Sequence, residues 1–131
     1  MLLRTRWAAG PDRPVDGDQV LVSVTRFDAA SRVDLPGIYR AGLALRSAWP
    51  ELPGAVGVWL WSQPLAGSSG SVSVWRSAGA LGAFVGLPEH VRIMRRYRSR
   101  GVIRATTWTT GWGDPVELWA RARRWLAEAR A

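Results

Sequence analysis

Four stretches of this chain alternate residue by residue, and that alternation limits what the chain can fold into. Gln19–Phe27 (QVLVSVTRF), Ala55–Gln63 (AVGVWLWSQ), Ser71–Arg76 (SVSVWR) and Val102–Thr110 (VIRATTWTT) repeat with a period of two, which suits half-buried strands and not helices. Other stretches carry the helical period. In Asp34–Trp49 the residues Leu35, Ile38, Gly42, Leu45 and Trp49 recur at helical spacing, with Asp34 as an N-cap and Pro36 in the first turn, where a missing N–H costs little. Ser77 caps a helix over Ala78–Val85, Gly86 breaks it, and Pro88 restarts it to about Arg98. A last helix starts at Asp114-Pro115-Val116-Glu117, a capping box with proline just inside. Its stripe is Leu118, Ala122, Trp125 and Leu126.

The order is β-α-β-β-α-β with an extra C-terminal helix. This predicts an α+β fold: a ferredoxin-like antiparallel sheet with two helices across one face. Residues 1–17 mix Arg, Gly, Pro and Asp and read as an N-terminal arm or loop, and residues 18–131 as one domain. The aliphatic positions Val20, Val22, Val24, Val56, Val58, Leu60, Val72, Val74, Ile103 and Ala105 are expected beneath the helices. The opposite face then carries Ser23, Thr25, Phe27, Trp59, Trp61, Gln63, Ser73, Trp75, Arg104, Thr106 and Trp108. That face is too aromatic for water and too polar for an ordinary core. Two arrangements cover it: the chain's own last helix and N-terminal arm, leaving no cavity, or a second subunit, sheet facing sheet, in a closed dimeric barrel with a pocket. The second is favoured, so a homodimer is expected.

The 131 residues suffice for one core. Cysteine is absent and there is one histidine, which argues against disulfides, thiol nucleophiles and a protein-only zinc site. No serine sits in a nucleophile elbow. The net charge of +8, carried entirely by arginine, attracts anionic partners. An RNA-recognition module shares this element order and displays stacking aromatics, but GSVSVWRS lacks the glycine–aromatic pattern of such a third strand. Nucleic acid is therefore a minor alternative. No apolar run is long enough to span a bilayer, and the first residues lack a signal-peptide core. A cytoplasmic location is expected.

The run from Ser71 to Gly101 carries Ser73-Val74-Trp75, Leu81, Ala83-Phe84, His90 and Met94-Arg95-Arg96. In this pattern it resembles the spheroidene monooxygenase-like proteins, within the wider antibiotic-biosynthesis-monooxygenase-like dimeric α+β barrels. The likeness implies a dimeric barrel with one pocket per subunit, and oxygenation of a hydrophobic, polyketide-like molecule. Many such barrels use no cofactor and some use haem.

Within that frame, His90, Met94 and Tyr97 share one helix face. His90 reads as a base, a proton relay or an axial haem ligand, or else as a histidine satisfied at a helix start. Tyr97 is a second candidate proton relay. Arg104 reads as an anion holder or as an interface ion pair. Trp59, Trp61, Trp75, Trp108 and Phe27 are candidate walls for an aromatic or polyene substrate, and Thr25, Ser73 and Thr106 candidate hydrogen-bonding groups. A non-enzymatic carrier or cyclase-like protein would need the same walls.

Overall fold

One strand holds the sheet together. In the computed structural model, which describes residues 1–129, β3 (Gln19–Ala29) is paired along its length on both sides, with β5 (Ser68–Trp75) and β6 (Gly101–Gly111). β4 (Ala55–Gln63) pairs with β5, and two short arm strands, β1 (Leu3–Arg4) and β2 (Ala8–Ala9), pair with β4. The order across the sheet is β1-β4-β5-β3-β6, and every pairing is antiparallel. The helices are α1 (Leu35–Ser47), α2 (Ala78–Val85), α3 (Pro88–Tyr97) and α4 (Pro115–Glu128). Ser77 Oγ accepts from the Ala80 N–H at the start of α2, and the Asp114 carboxylate accepts from the Val116 N–H at the start of α4. Asp34 precedes α1 without capping it by its side chain; its carboxylate instead pairs with Arg100 at 2.9 Å.

The sheet does not close into the barrel expected from the sequence. It is open, with β6 at one edge and the arm strands at the other. The Trp59, Trp61 and Trp108 part of the face expected to meet a second sheet is covered by α4 of the same chain. Ala122 and Leu126 of α4 are buried against Val20, Val22, Val24, Val72, Val74, Trp59 and Trp61, with Trp7, Trp112, Trp119 and Trp125 packed around them.

The faces also differ from the expected ones. Cross-strand partners share a face, and the register sets Val72 opposite Trp59, Gly70 opposite Trp61 and Val22 opposite Trp108. The valines of β3 and β5 therefore lie with the tryptophans under α4. Val58 pairs with Ser73 and Leu60 with Ser71, so these aliphatics join the serines on the other face, under α1, α2 and α3. A register shift between Ala55 and Gly57 puts Val56 with the α4-side core while Ala55 and Val58 pack on the helical side. A bulge inserts a residue and so reverses the alternation along a strand.

The aromatic cluster beneath α4 is extensive. Trp7 lies 4.5 Å from Trp59 and 6.2 Å from Trp112, and Trp59 lies 5.5 Å from Trp119. The guanidinium of Arg4 stands 5.1 Å from the Trp59 ring and 4.6 Å from that of Trp119, a cation–π clamp. Trp7 can lie on β4 because Gly57 has no side chain; a Cβ there would enter its ring.

Candidate functional site

The helical side of the sheet is hollow. Its strand residues are short: Ser23 and Thr25 on β3, and Ser69, Ser71 and Ser73 on β5. Serine and threonine do not reach a helix layer about 10 Å above a sheet. The result is a cavity of about 510 Å³ between these strands and α1–α3. The helices show the same asymmetry: α2 and α3 have no fully buried residue and α1 has only Leu35, whereas α4 buries both Ala122 and Leu126.

The floor is polar but internally satisfied. Thr25 Oγ1 accepts from the Ser71 N–H at 3.0 Å and lies 2.9 Å from Ser71 Oγ. The Trp75 indole N–H donates to Ser73 Oγ at 2.9 Å. Phe27 and Ile103 add apolar area at the β6 side, while Ile38, Leu45, Leu81, Phe84, Ile93 and Met94 form the helical wall. Trp49 is 3% exposed and packs tilted against Trp75 at 5.1 Å and edge-on against Phe84 at 5.0 Å.

The wall holds polar atoms that are not satisfied. Tyr39 Oη, Arg46 Nε, Trp49 Nε1 and His90 Nδ1 are buried without a hydrogen-bond partner. All four residues line the cavity. Buried polar groups are normally paired; these exceptions belong to residues that border the cavity. His90 enters from the first turn of α3, its ring edge-on to Phe84 at 4.9 Å. Burial pushes the imidazole below its ordinary value of 6.5, and the Val85 carbonyl works the other way. A neutral imidazole is a proton acceptor.

The candidates named from the sequence separate into two groups. His90, Tyr97, Thr25, Phe27 and Ser73 line the cavity; Trp61 reaches its edge, while its ring belongs to the α4-side core and donates to the Thr25 carbonyl at 3.1 Å. The Tyr97 hydroxyl packs against Gly37, where a side chain would collide with it. Trp75 is fully buried below the cavity. Trp59 belongs to the α4-side core, with Trp108 packed against it. Thr106 and Trp108 line a shallow groove beside Arg121, whose guanidinium stands 4.5 Å from the Trp108 ring.

Arg104 is placed away from the cavity. It donates to the Ala129 carbonyl at 2.6 Å and lies 3.9 Å from Asp28. Its cross-strand partner Arg26, 3% exposed, forks onto both Asp28 oxygens at 3.0 and 2.9 Å and donates to the Leu126 carbonyl at 3.3 Å. Both arginines hold the C-terminal end of α4, where cations are favoured.

Tyr39, Arg46 and Trp49 are the site residues that the sequence reading did not single out as functional. Tyr39 and Arg46 flank the apolar stripe of α1, and Trp49, the last residue of that stripe in the sequence, follows the helix in a short 3-10 turn.

No family model matches the chain, and no curated protein sequence matches it. Solved structures do. SnoaB, a cofactor-independent oxygenase from Streptomyces nogalater, superposes with a TM-score of 0.57 at 16% identity, covering 77% of this chain and 99% of SnoaB. A Deinococcus radiodurans protein provisionally named an antibiotic biosynthesis monooxygenase gives 0.62 at 15% identity, covering 72% of this chain and 95% of its own. A Lactobacillus acidophilus protein provisionally named a monooxygenase gives 0.60 at 11% identity; the match covers 73% of this chain and about half, 49%, of the Lactobacillus one. The chain thus shares the fold of small monooxygenase-like proteins, a likeness of backbone and not one specific to the spheroidene enzymes. Among the described residues no helix is long and apolar enough to cross a membrane.

Proposed function

We propose that this protein is a small oxygenase acting, without a cofactor, on a hydrophobic aromatic or polyketide-like metabolite held in the cavity between the serine-rich sheet face and α1–α3. The observation that carries this reading is a largely apolar cavity of about 510 Å³ bordered by the chain's one histidine, whose basicity burial lowers. The fold shared with a cofactor-independent oxygenase supports it, although fold by itself does not carry activity.

The chemistry asked of the protein is modest. His90 removes a proton from an acidic carbon or phenol of the substrate. The resulting anion supplies electrons to dioxygen. One oxygen atom enters the substrate carbon as a carbonyl, the other leaves as water, and the substrate is the only reductant. The protein contributes a base, donors that stabilise the anion, and a wall that excludes water. Arg104 has no part in this scheme, because it holds the end of α4.

Haem is the alternative cofactor. His90 would hold its iron, and Arg46 and Arg98, also among the lining residues, would meet its carboxylates. Bound haem would supply oxygen activation.

Oxygen uptake with polycyclic phenols, measured beside the visible spectrum of the purified protein, tests the proposal. Colourless protein that consumes one dioxygen per substrate supports it. A Soret band moves the reading to haem. Tight binding without oxygen uptake moves it to a carrier or cyclase-like protein. Helices lie on both faces of the sheet, which removes the open stacking platform that an RNA-binding reading requires.

A further inference from the structure

We infer that β6 is an interface between two copies of this chain: the two strands pair antiparallel about Thr106 and join two sheets edge to edge. The inference is independent of the proposed function.

Three observations carry it. First, the two edges of the sheet are finished differently. Along β4 the arm adds β1 and β2, two residues each, and short strands of this kind blunt an edge. β6 is eleven residues long, contains no proline and keeps an unbroken register with β3 from Gly101 to Gly111. Among the described residues no other strand pairs with it. Val102 and Ile103 are 53% and 44% exposed, and Ala105, Thr107 and Thr109 are exposed as well. A long edge without such protection is a template for another strand.

Second, the register fixes which backbone groups point outward. The Trp112 N–H donates to the Asp18 carbonyl at 2.7 Å, and the Ala30 N–H donates to the Arg100 carbonyl at 2.8 Å. Even-numbered residues of β6 therefore turn their backbone groups toward β3. Alternation along an antiparallel pair turns those of Ile103, Ala105, Thr107 and Thr109 away from it. A two-fold axis at Thr106 sets Ala105 opposite the partner's Thr107 and Ile103 opposite the partner's Thr109. These are the residues with outward groups, so each pair exchanges both bonds. The sum is about ten backbone hydrogen bonds, as many as a typical interface carries.

Third, the strand matches itself. In GVIRATTWTTG the terminal glycines meet each other, Val102 meets Thr110, and Thr106 meets its own copy. Arg104, the one charge of the strand, falls opposite Trp108 and not opposite itself. Moving the axis to either neighbour shortens the pairing, and moving it to Arg104 sets like charges face to face. This self-match selects a second copy over an unrelated strand. Ile103 also lines the cavity, so the partner strand covers the β6 flank of the cavity.

The test uses the absence of cysteine from the chain. At a non-hydrogen-bonded antiparallel pair the Cα atoms lie about 4.5 Å apart, within reach of a disulfide. Thr106→Cys should therefore cross-link two copies under mild oxidation at least ten-fold faster than Val102→Cys. Val102 is well exposed but lies about 26 Å from its own copy in this register. Sedimentation of the full parent chain should show a monomer–dimer equilibrium in the micromolar range. Thr107→Pro should weaken it at least ten-fold, because proline removes an outward N–H and leaves the ladder with β3 intact. A parent chain that stays monomeric at about 100 μM, above that range, would overturn the inference. So would equal cross-linking of the two cysteine variants, or a folded Thr107→Pro chain that dimerises as the parent does. If Thr107→Pro does not fold, the cysteine pair decides. None of these outcomes bears on the oxygenase reading.

Discussion

Phe84 presents its ring to His90 at 4.9 Å, nearly edge to face, at the junction of α2 and α3. This packing buries the imidazole on the cavity wall and depresses its basicity. The sign for stability follows. Above the ordinary value of 6.5 the imidazole is neutral in both folded and unfolded chains and contributes nothing. Below it, the unfolded chain binds a proton more readily than the folded one, so acidification destabilises the fold until the lowered folded value is passed. For catalysis the same depression keeps the base competent at lower pH. The acid limb of any rate profile should lie below 6.5 and disappear in His90→Gln. A limb at or above 6.5, or one that survives the substitution, removes His90 as the base.

Arg26 and Asp28 anchor α4. Asp28→Asn leaves a 3%-exposed guanidinium without its counter-charge, and breaking a buried pair from one side costs about 3 kcal/mol. Urea denaturation should show a loss of that order. Arg104→Gln, whose guanidinium is 44% exposed, should cost less than about 1 kcal/mol. It should also leave ligand affinity unchanged, since Arg104 does not line the cavity. A large loss of activity in Arg104→Gln with intact stability would restore the anion-holding role read from the sequence.

The hollow side is open to filling. Ser71→Leu gives up one hydroxyl contact with Thr25, worth about 1 kcal/mol, and places apolar volume where there is none. Thermal stability should change little, and affinity for an aromatic ligand should fall at least ten-fold. Unchanged affinity would mean that ligands bind elsewhere.

Gly57→Ala addresses the arm. A Cβ at this position enters the Trp7 ring, and forcing a group into a packed site costs about 1–3 kcal/mol. The arm should detach from β4, and limited proteolysis should cut within residues 1–17 faster than in the parent chain. An unchanged cleavage rate would show that Trp7 does not hold the arm.

Local structure was legible in the sequence, and the relation between elements was legible only in part. β4 and α2 have the ends that alternation and capping residues mark for them, Ala55–Gln63 and Ala78–Val85. Alternation divides each strand into two sets of residues but carries no information on which set of one strand faces which set of the next. That phase is decided by pairing, and in β4 the shift between Ala55 and Gly57 moves it. Trp59 and Trp61 thereby join the valines, and Val58 and Leu60 join the serines. The serines were expected on the tryptophan-bearing face; in the fold they lie on the other one, and their small size makes the cavity. Tyr39 and Arg46 flank an apolar helical stripe and carry no functional mark in the sequence. They become site residues because α1 stands over a space and not over a packed core. His90, Tyr97, Thr25, Phe27 and Ser73, all named from the sequence, border the cavity, and Pro88 and Glu89 mark the helix start beside His90.

The central claim is that ligands enter the helical side of the sheet and not the tryptophan cluster under α4. The nine tryptophans report on this directly through their indole N–H resonances in a proton–nitrogen correlation spectrum, titrated with 6-hydroxy-2-naphthoate. Entry on the helical side predicts a shift of the signal of Trp49, which borders the cavity, with the signals of Trp59 and Trp119 unmoved. A shift centred on Trp59 and Trp119 with Trp49 silent would contradict it.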